Sequence, residues 1–286
     1  LYRFYFAGRQ RSFGGFVLNI FSKAKRVVVK VGTSTLTYST GMINIRRTEK
    51  LVSALADLAN SGRQVVLVTS GALSVGCGKL GLRERPGDTP TRQAAAAVGQ
   101  CELMYLYDNL FSSHNRTVAQ VLLTKDIVND SLRRQNVVNT FEKLLSMGVI
   151  PVVNENDTVS VDELEGENFG DNDSLSAIVA ELAGADVLVL ISDIAGLYTQ
   201  NPRENPHAQL IPVVDKIDDY ILSIASGSGS SRGTGGMTTK VQAAVIATAA
   251  GIDMAIISGE APGLLYDLFD GEPVGTHFVA RKEQTP

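Results

Sequence analysis

The stretch "GTGGMTTK", Gly233 to Lys240, holds the glycines, hydroxyls and lysine of a phosphate-binding loop in an order that the pattern G-x-x-x-x-G-K-[ST] excludes. In that pattern the lysine lies inside the loop, with a hydroxyl beside it. Here the loop runs from Gly233 to Gly236, and Lys240 follows one helical turn later. Such spacing lets a flexible backbone cover a nucleotide while the lysine reaches back over the loop toward its phosphates. A flexible linker ahead of an ordinary helix is the plainer alternative.

Two more glycine sites follow apolar runs. In "VVVKVGTS", Lys30 ends a strand and Gly32 opens a turn. A cation and backbone N–H donors then stand together, as an anionic phosphate requires, unless Lys30 is only a surface lysine at a strand edge. In "VVLVTSGALSVG", Ser70 and Gly71 start a helix whose free N–H groups favour an anion, or Ser70 is a simple N-cap. The same region satisfies G-x-G-x-x-G in "GCGKLG", Gly76 to Gly81, but the pattern begins seven residues after the strand end at Thr69. It lacks the strand, tight turn and helix that dinucleotide binding needs, so we read it as a decoy.

Carboxylates gather elsewhere. "VNENDTV" follows the apolar run "VIPVV", and "GDNDSLSA" comes farther on, which puts Asp157, Asp171, Asn172 and Asp173 at strand ends or a helix start. Asp173 alone reads as a helix cap. As a group they suit a cationic partner: an ammonium, a metal or catalytic lysines.

These groups need a scaffold that carries them to one place. Short β-branched runs, "RVVVKV", "QVVLVT", "TVAQVLL", "VIPVV", "DVLVLIS" and "DMAII", are the strand candidates, and their continuous apolar character implies cover on both faces. Helical patterns over Asn44–Ser61, Ser131–Met147, Ser174–Ala183 and Met237–Ala250 each stop at a glycine, the left-handed stop signal. The expected fold is α/β: a three-layer α/β/α sandwich with a mostly parallel open sheet. Two segments break this grammar, Asn154–Asp171 and Ser226–Gly236, and loops of that length tend to be lids or ligand loops. No interior linker divides residues 26–286, which we read as one domain, whereas the basic, aromatic residues 1–25 read as an extension or remnant outside the fold.

With 286 residues, 44% hydrophobic and 20% charged, the chain can bury a full core. No stretch approaches the roughly 18 apolar residues of a membrane span. The first 48 residues hold nine of the 26 Lys/Arg and none of the 30 Asp/Glu, so the remaining body is acidic and nucleic acid is not an expected partner. Cys77 and Cys101 form neither a metal spacing nor a disulfide framework; we expect ordinary buried thiols in a reducing, cytoplasmic setting.

Taken in order, "VKVGTS", "TSGA", "NEND", "GDND", "SDIAGLYTQNPR" and "GTGGMTTK" resemble the glutamate 5-kinase branch of the amino acid kinase family, from about Arg26 to Phe278. Each motif alone is weak, and together they are specific. The resemblance implies glutamate and ATP bound side by side along the C-terminal edge of the sheet, with phosphoryl transfer to the γ-carboxylate of L-glutamate as the first step of proline biosynthesis. It implies Lys30 and Lys240 as lysines flanking the transferred group and Asp173 as the acid that orients both. Gly32, on the ATP side, and Gly71, on the glutamate side, would give backbone N–H groups. Ser70, Asp157 and Asn172 match glutamate-binding positions. Ser192 and Asp193, with Thr234, Gly235, Gly236, Met237, Thr238, Thr239 and Lys240, match the nucleotide site.

No protein metal ligand is implied, and Mg²⁺ would bridge the ATP phosphates. Proline as feedback inhibitor, a homodimer or homotetramer, and a glutamyl phosphate reductase consuming the labile product follow from the same resemblance. It includes neither the PUA-type domain of bacterial members nor the reductase fused to some eukaryotic ones. Relatives acting on aspartate, carbamate, N-acetylglutamate or a nucleoside monophosphate are the alternatives, as is a non-catalytic amino acid sensor, which two phosphate-facing lysines disfavour.

Overall fold

The computed structural model describes residues 19–38, 40–124, 127, 129–159, 172–226 and 236–281. Six strands arise from the expected apolar runs: β1 (Arg26–Val31), β2 (Gln64–Val68), β3 (Val118–Leu123), β4 (Ile150–Glu155), β5 (Val187–Ser192) and β7 (Asp253–Ser258). Two short ones, β6 (Val213–Val214) and β8 (Thr276–Phe278), lie outside those runs. All eight form one sheet in the order β3-β4-β2-β1-β5-β7-β8-β6. Every pairing is parallel except that of β7 with β8.

The helices are α1 (Asn19–Lys23), α2 (Thr33–Leu36), α3 (Ile45–Asn60), α4 (Ala72–Lys79), α5 (Thr89–Ser112), α6 (Ser131–Ser146), α7 (Asp173–Leu182), α8 (Asp219–Ser226), α9 (Met237–Ala249) and α10 (Leu264–Phe269). Strand alternation divides them between two layers. Val27, Val29 and Val31 of β1 share one core with α3, α4, α5 and α10, while Val28 belongs to a second core under α6, α7, α8 and α9. Lys30 is in phase with Val28, so its side chain leaves the sheet on the α7 and α9 side. The expected helix stops hold: Gly62, Gly148, Gly184 and Gly251 have φ of 97°, 72°, 59° and 77°.

The structure corrects four readings. Residues 19–25 belong to the fold: Phe21 is fully buried, with its ring edge-on to Phe269 and His277, and the Lys25 and Arg26 N–H groups both donate to Asp186 Oδ2. Asn154 and Glu155, read as the start of a loop, extend β4. Cys101 is exposed and Cys77 half-buried; burial pushes the Cys77 thiol up, partly offset by the charge of Arg85.

The fourth correction concerns α5, absent from the expected helices, and its contact with α4, which is not an apolar stripe. They cross backbone to backbone at two glycines. A Cβ on Gly76 would stand 1.7 Å from the Ala95 carbonyl oxygen, and one on Gly99 would stand 1.8 Å from that of Ala72. The glycines of "GCGKLG" thus have a packing explanation: Gly76 admits α5, Gly78 lies against Gly41, and Gly81, at φ 68°, follows α4. No helix among the described residues is long and apolar enough to cross a membrane.

Candidate active site

Because β1, β2, β4 and β5 run parallel, their C-terminal ends share one edge, and the residues that follow them meet there with the starts of α4, α7 and α9. Two neighbouring constellations result.

The first is charged and buried. Asp173 opens α7 with no exposed surface, and its two carboxylate oxygens hold two lysines: Lys30 Nζ at 2.7 Å from Oδ1 and Lys240 Nζ at 3.0 Å from Oδ2. Thr239 Oγ1 stands 3.0 Å from the same Oδ2 and 2.9 Å from the Gly236 carbonyl oxygen. The plainer alternative of a helix cap does not hold, since the Asp173 carboxylate serves side chains of β1 and α9. Removing charges from water costs several kcal/mol per ion unless they are paired at close range. One carboxylate therefore fixes where both ammonium groups sit. Gly32 borders them, since a Cβ there would lie 3.6 Å from Lys30 Nζ. Asn172 and Gly236 precede α7 and α9 without capping them through a side chain, and the N-terminal ends of both helices, which favour an anion, open at this edge.

The second constellation is a polar cleft of ≈ 150 Å³ whose lining includes Ser70, Gly71, Asn154, Asp157, Asn172 and Arg85. Gly71 has φ 94°, which only glycine adopts without strain, and it turns the chain from β2 into α4. Ser70 is not an N-cap: its hydroxyl donates to the Val31 carbonyl at 3.1 Å and accepts from Thr33 Oγ1 at 3.3 Å.

Behind the cleft runs a chain of amides. Asn172 Nδ2 donates to the Thr69 carbonyl at 2.6 Å and to Asn154 Oδ1 at 2.7 Å; Asn154 Nδ2 donates to Gln100 Oε1 at 2.7 Å. Two backbone groups fix its polarity. The Thr69 carbonyl can only accept, and the Glu155 N–H, 2.9 Å from Asn154 Oδ1, can only donate. Both protons of Asn172 Nδ2 are used, so Oδ1, an acceptor, is what Asn172 has left to offer. Beneath this chain the Tyr107 phenol, 2.8 Å from Thr69 Oγ1, is driven well above its ordinary pKa by burial, against a smaller lowering by Thr69.

On the β5 side, Ser192 Oγ donates to Asp193 Oδ1 at 3.1 Å and Arg203 reaches Asp193 Oδ2 at 2.7 Å. Burial raises the Asp193 carboxyl, but Arg203, Lys240 and Ser192 outweigh it and hold it below the usual carboxylate range. Asp193 thus senses the charge of Lys240.

The structure therefore brings Lys30, Gly32, Asp173, Thr239 and Lys240 together, and places Ser70, Gly71, Asp157 and Asn172 around the cleft. Met237 is buried at the start of α9. Thr238 is turned away, with its hydroxyl donating to the Ala225 carbonyl at 3.2 Å. Asp171, Thr234 and Gly235 lie outside the described residues. Sequence reading missed Thr33, Gln100, Asn154, Glu155 and Arg85. Asn154 and Glu155 sat inside the quoted "VNENDTV" and could have been found from it; Gln100, inside an alanine-rich helix, gave no signal.

The chain matches the amino acid kinase family over residues 25–258. It is 51% identical over 260 residues to a glutamate 5-kinase of Clostridium perfringens, covering 91% of this chain and 97% of that one. It is 49% identical over 262 residues to a glutamate 5-kinase of Listeria innocua, covering 91% and 95%. Among solved structures, the UMP kinase of Bacillus anthracis superposes with a TM-score of 0.61 at 16% identity, over 91% of this chain and 97% of that one. An isopentenyl phosphate kinase of T. acidophilum gives 0.59 at 16% identity, over 88% and 99%. At such identities these two structures speak for the fold alone.

Proposed function

The chain belongs to the amino acid kinase family, and from that premise we propose that it transfers the γ-phosphoryl group of ATP to the γ-carboxylate of L-glutamate, giving L-glutamyl 5-phosphate for proline biosynthesis. The observation that carries this reading is the single buried carboxylate of Asp173 holding Lys30 and Lys240 beside the polar cleft. Both reactants are anions, and phosphoryl transfer asks the protein for alignment and charge neutralisation rather than covalent chemistry. Lys30, on a rigid strand, and Lys240, on the first turn of α9, supply the cations. The attacking carboxylate is ionised near neutral pH, so no general base is needed, and Asp173 organises the lysines rather than taking a proton.

On the acceptor side, Asn172 Oδ1 and the Asp157 carboxylate are acceptors suited to a free α-ammonium, which N-acetylglutamate lacks. Arg85 at the rim is the cation that suits the α-carboxylate. On the nucleotide side we assign Gly32, Ser192, Asp193 and residues 234–240, Thr238 through its main chain alone. We assign no protein ligand set to a metal: Mg²⁺ would arrive on the nucleotide phosphates. Bound there, Mg²⁺ would draw charge from the phosphate oxygens. The proposal extends to a cytoplasmic setting, proline as feedback inhibitor, a reductase consuming the acyl phosphate, and assembly as a homodimer or homotetramer.

The test is ADP release with Mg·ATP and L-glutamate, the product trapped as a hydroxamate, beside aspartate, N-acetylglutamate, carbamate and UMP as acceptors. Glutamate should be the preferred acceptor. Preference for any other acceptor, or absence of turnover with all of them, would overturn the reading.

A further inference from the structure

We infer that Gln100 is a positioning residue for the acceptor's ammonium group, acting through Asn154 on Asn172; the inference rests on the glutamate reading above. Gln100 lies in the middle of α5 and is 8% exposed, Asn154 is 2% exposed and Asn172 is 3% exposed, so this chain of amides is shielded from water. Gln100 Oε1 is the terminal acceptor. It holds Asn154 Nδ2 at 2.7 Å, and Asn154 in turn presents Oδ1 to Asn172 Nδ2 at 2.7 Å. Without that acceptor, Asn154 would keep a buried N–H pair unsatisfied, a cost comparable to losing a hydrogen bond outright. It could recover the bond only by rotating, which would release one of the two anchors that hold the Asn172 amide at the wall of the cleft. The nitrogen of the Gln100 amide plays no part in holding Asn154, since Nε2 is buried with no partner among the described residues. The side chain is therefore used for its oxygen.

That asymmetry makes the inference testable by two substitutions of similar size. Gln100→Met removes the acceptor, and Gln100→Glu keeps an oxygen in its place. Glutarate, which is glutamate without the ammonium, serves as the probe of what the amide chain recognises. In Gln100→Met the KM for L-glutamate should rise about tenfold. The KM for ATP and kcat should change little, and the inhibition constant of glutarate should stay near its value in the unaltered chain. Gln100→Glu should restore the glutamate KM. A second measurement needs no substitution: the side-chain N–H₂ protons of Asn154 and Asn172 in the unaltered chain should exchange with water more slowly than those of an exposed asparagine.

Glutamate and glutarate weakened in step, a glutamate KM unchanged in Gln100→Met, or fast exchange of both amides would overturn the inference alone. No glutamate turnover by the unaltered chain would overturn the functional reading, and this inference with it.

Discussion

Asp173 and Asp253 are both buried against basic side chains, at opposite ends of the sheet. Asp173 opens α7 at the edge where the parallel strands end, between Lys30 and Lys240. Asp253 opens β7 at the other edge, where its Oδ1 lies 2.6 Å from His277 Nε2 and accepts the Ala280 N–H at 3.3 Å. Phe21 covers His277, with ring centroids 5.0 Å apart. Burial and a nitrogen partner within hydrogen-bond reach are common to both, so neither property by itself marks a site. The differences are position and company. Asp173 stands among uncapped helix starts, glycine turns and an open polar cleft, on the side of a parallel sheet where ligands bind. Asp253 is enclosed by the side chains that fasten α1 and β8 to the sheet.

The comparison predicts a separation of effects. Lys240→Met removes one cation from the Asp173 cluster and should lower kcat by about 10²–10³-fold, much more than it raises KM for either substrate. Steady-state kinetics check this, and an unchanged kcat would remove the functional half of the contrast. Asp253→Ala should do the reverse, lowering unfolding free energy in urea by about 1–3 kcal/mol while turnover per folded molecule is kept. A large fall in kcat there would mean that the two ends are coupled.

The smallest effect concerns Asp193. Its carboxyl is held below the ordinary value of 3.8, so its stabilising contribution is present above that value and is lost as the pH falls through its lower folded-state pKa. Urea midpoints of Asp193→Asn and the unaltered chain should differ most near neutrality and converge in strong acid. A difference independent of pH would mean that packing, rather than charge, makes it.

Much of the scaffold could be read from sequence because β-branched runs and glycine stops are local signals. Lys30 and Lys240 were legible for the same reason, each standing next to a glycine turn. Their convergence follows from strand alternation, which puts Lys30 on the side where α7 and α9 pack. Other features depend on distant partners. Helix α5 shows an apolar face only in its second half, at Leu103, Tyr107 and Phe111, and what it offers α4 is the absence of side chains. β8 is three residues long and antiparallel to β7. Arg85 and Gln100 acquire meaning only once β4 and α5 are brought together. The motif glycines misled in one case, because "GCGKLG" meets a spacing rule for a reason of packing.

That glycine crossing also decides how freely the acceptor cleft can be altered. Ala72, whose carbonyl oxygen leaves no room for a methyl at Gly99, directly follows Gly71 and lines the cleft. The wall facing an incoming substrate is thus seated against the bare main chain of its neighbour, with no flexible atoms between them to absorb a shift. A single carbon added on α5, out of reach of any reactant, would be transmitted as a displacement of the turn at Gly71.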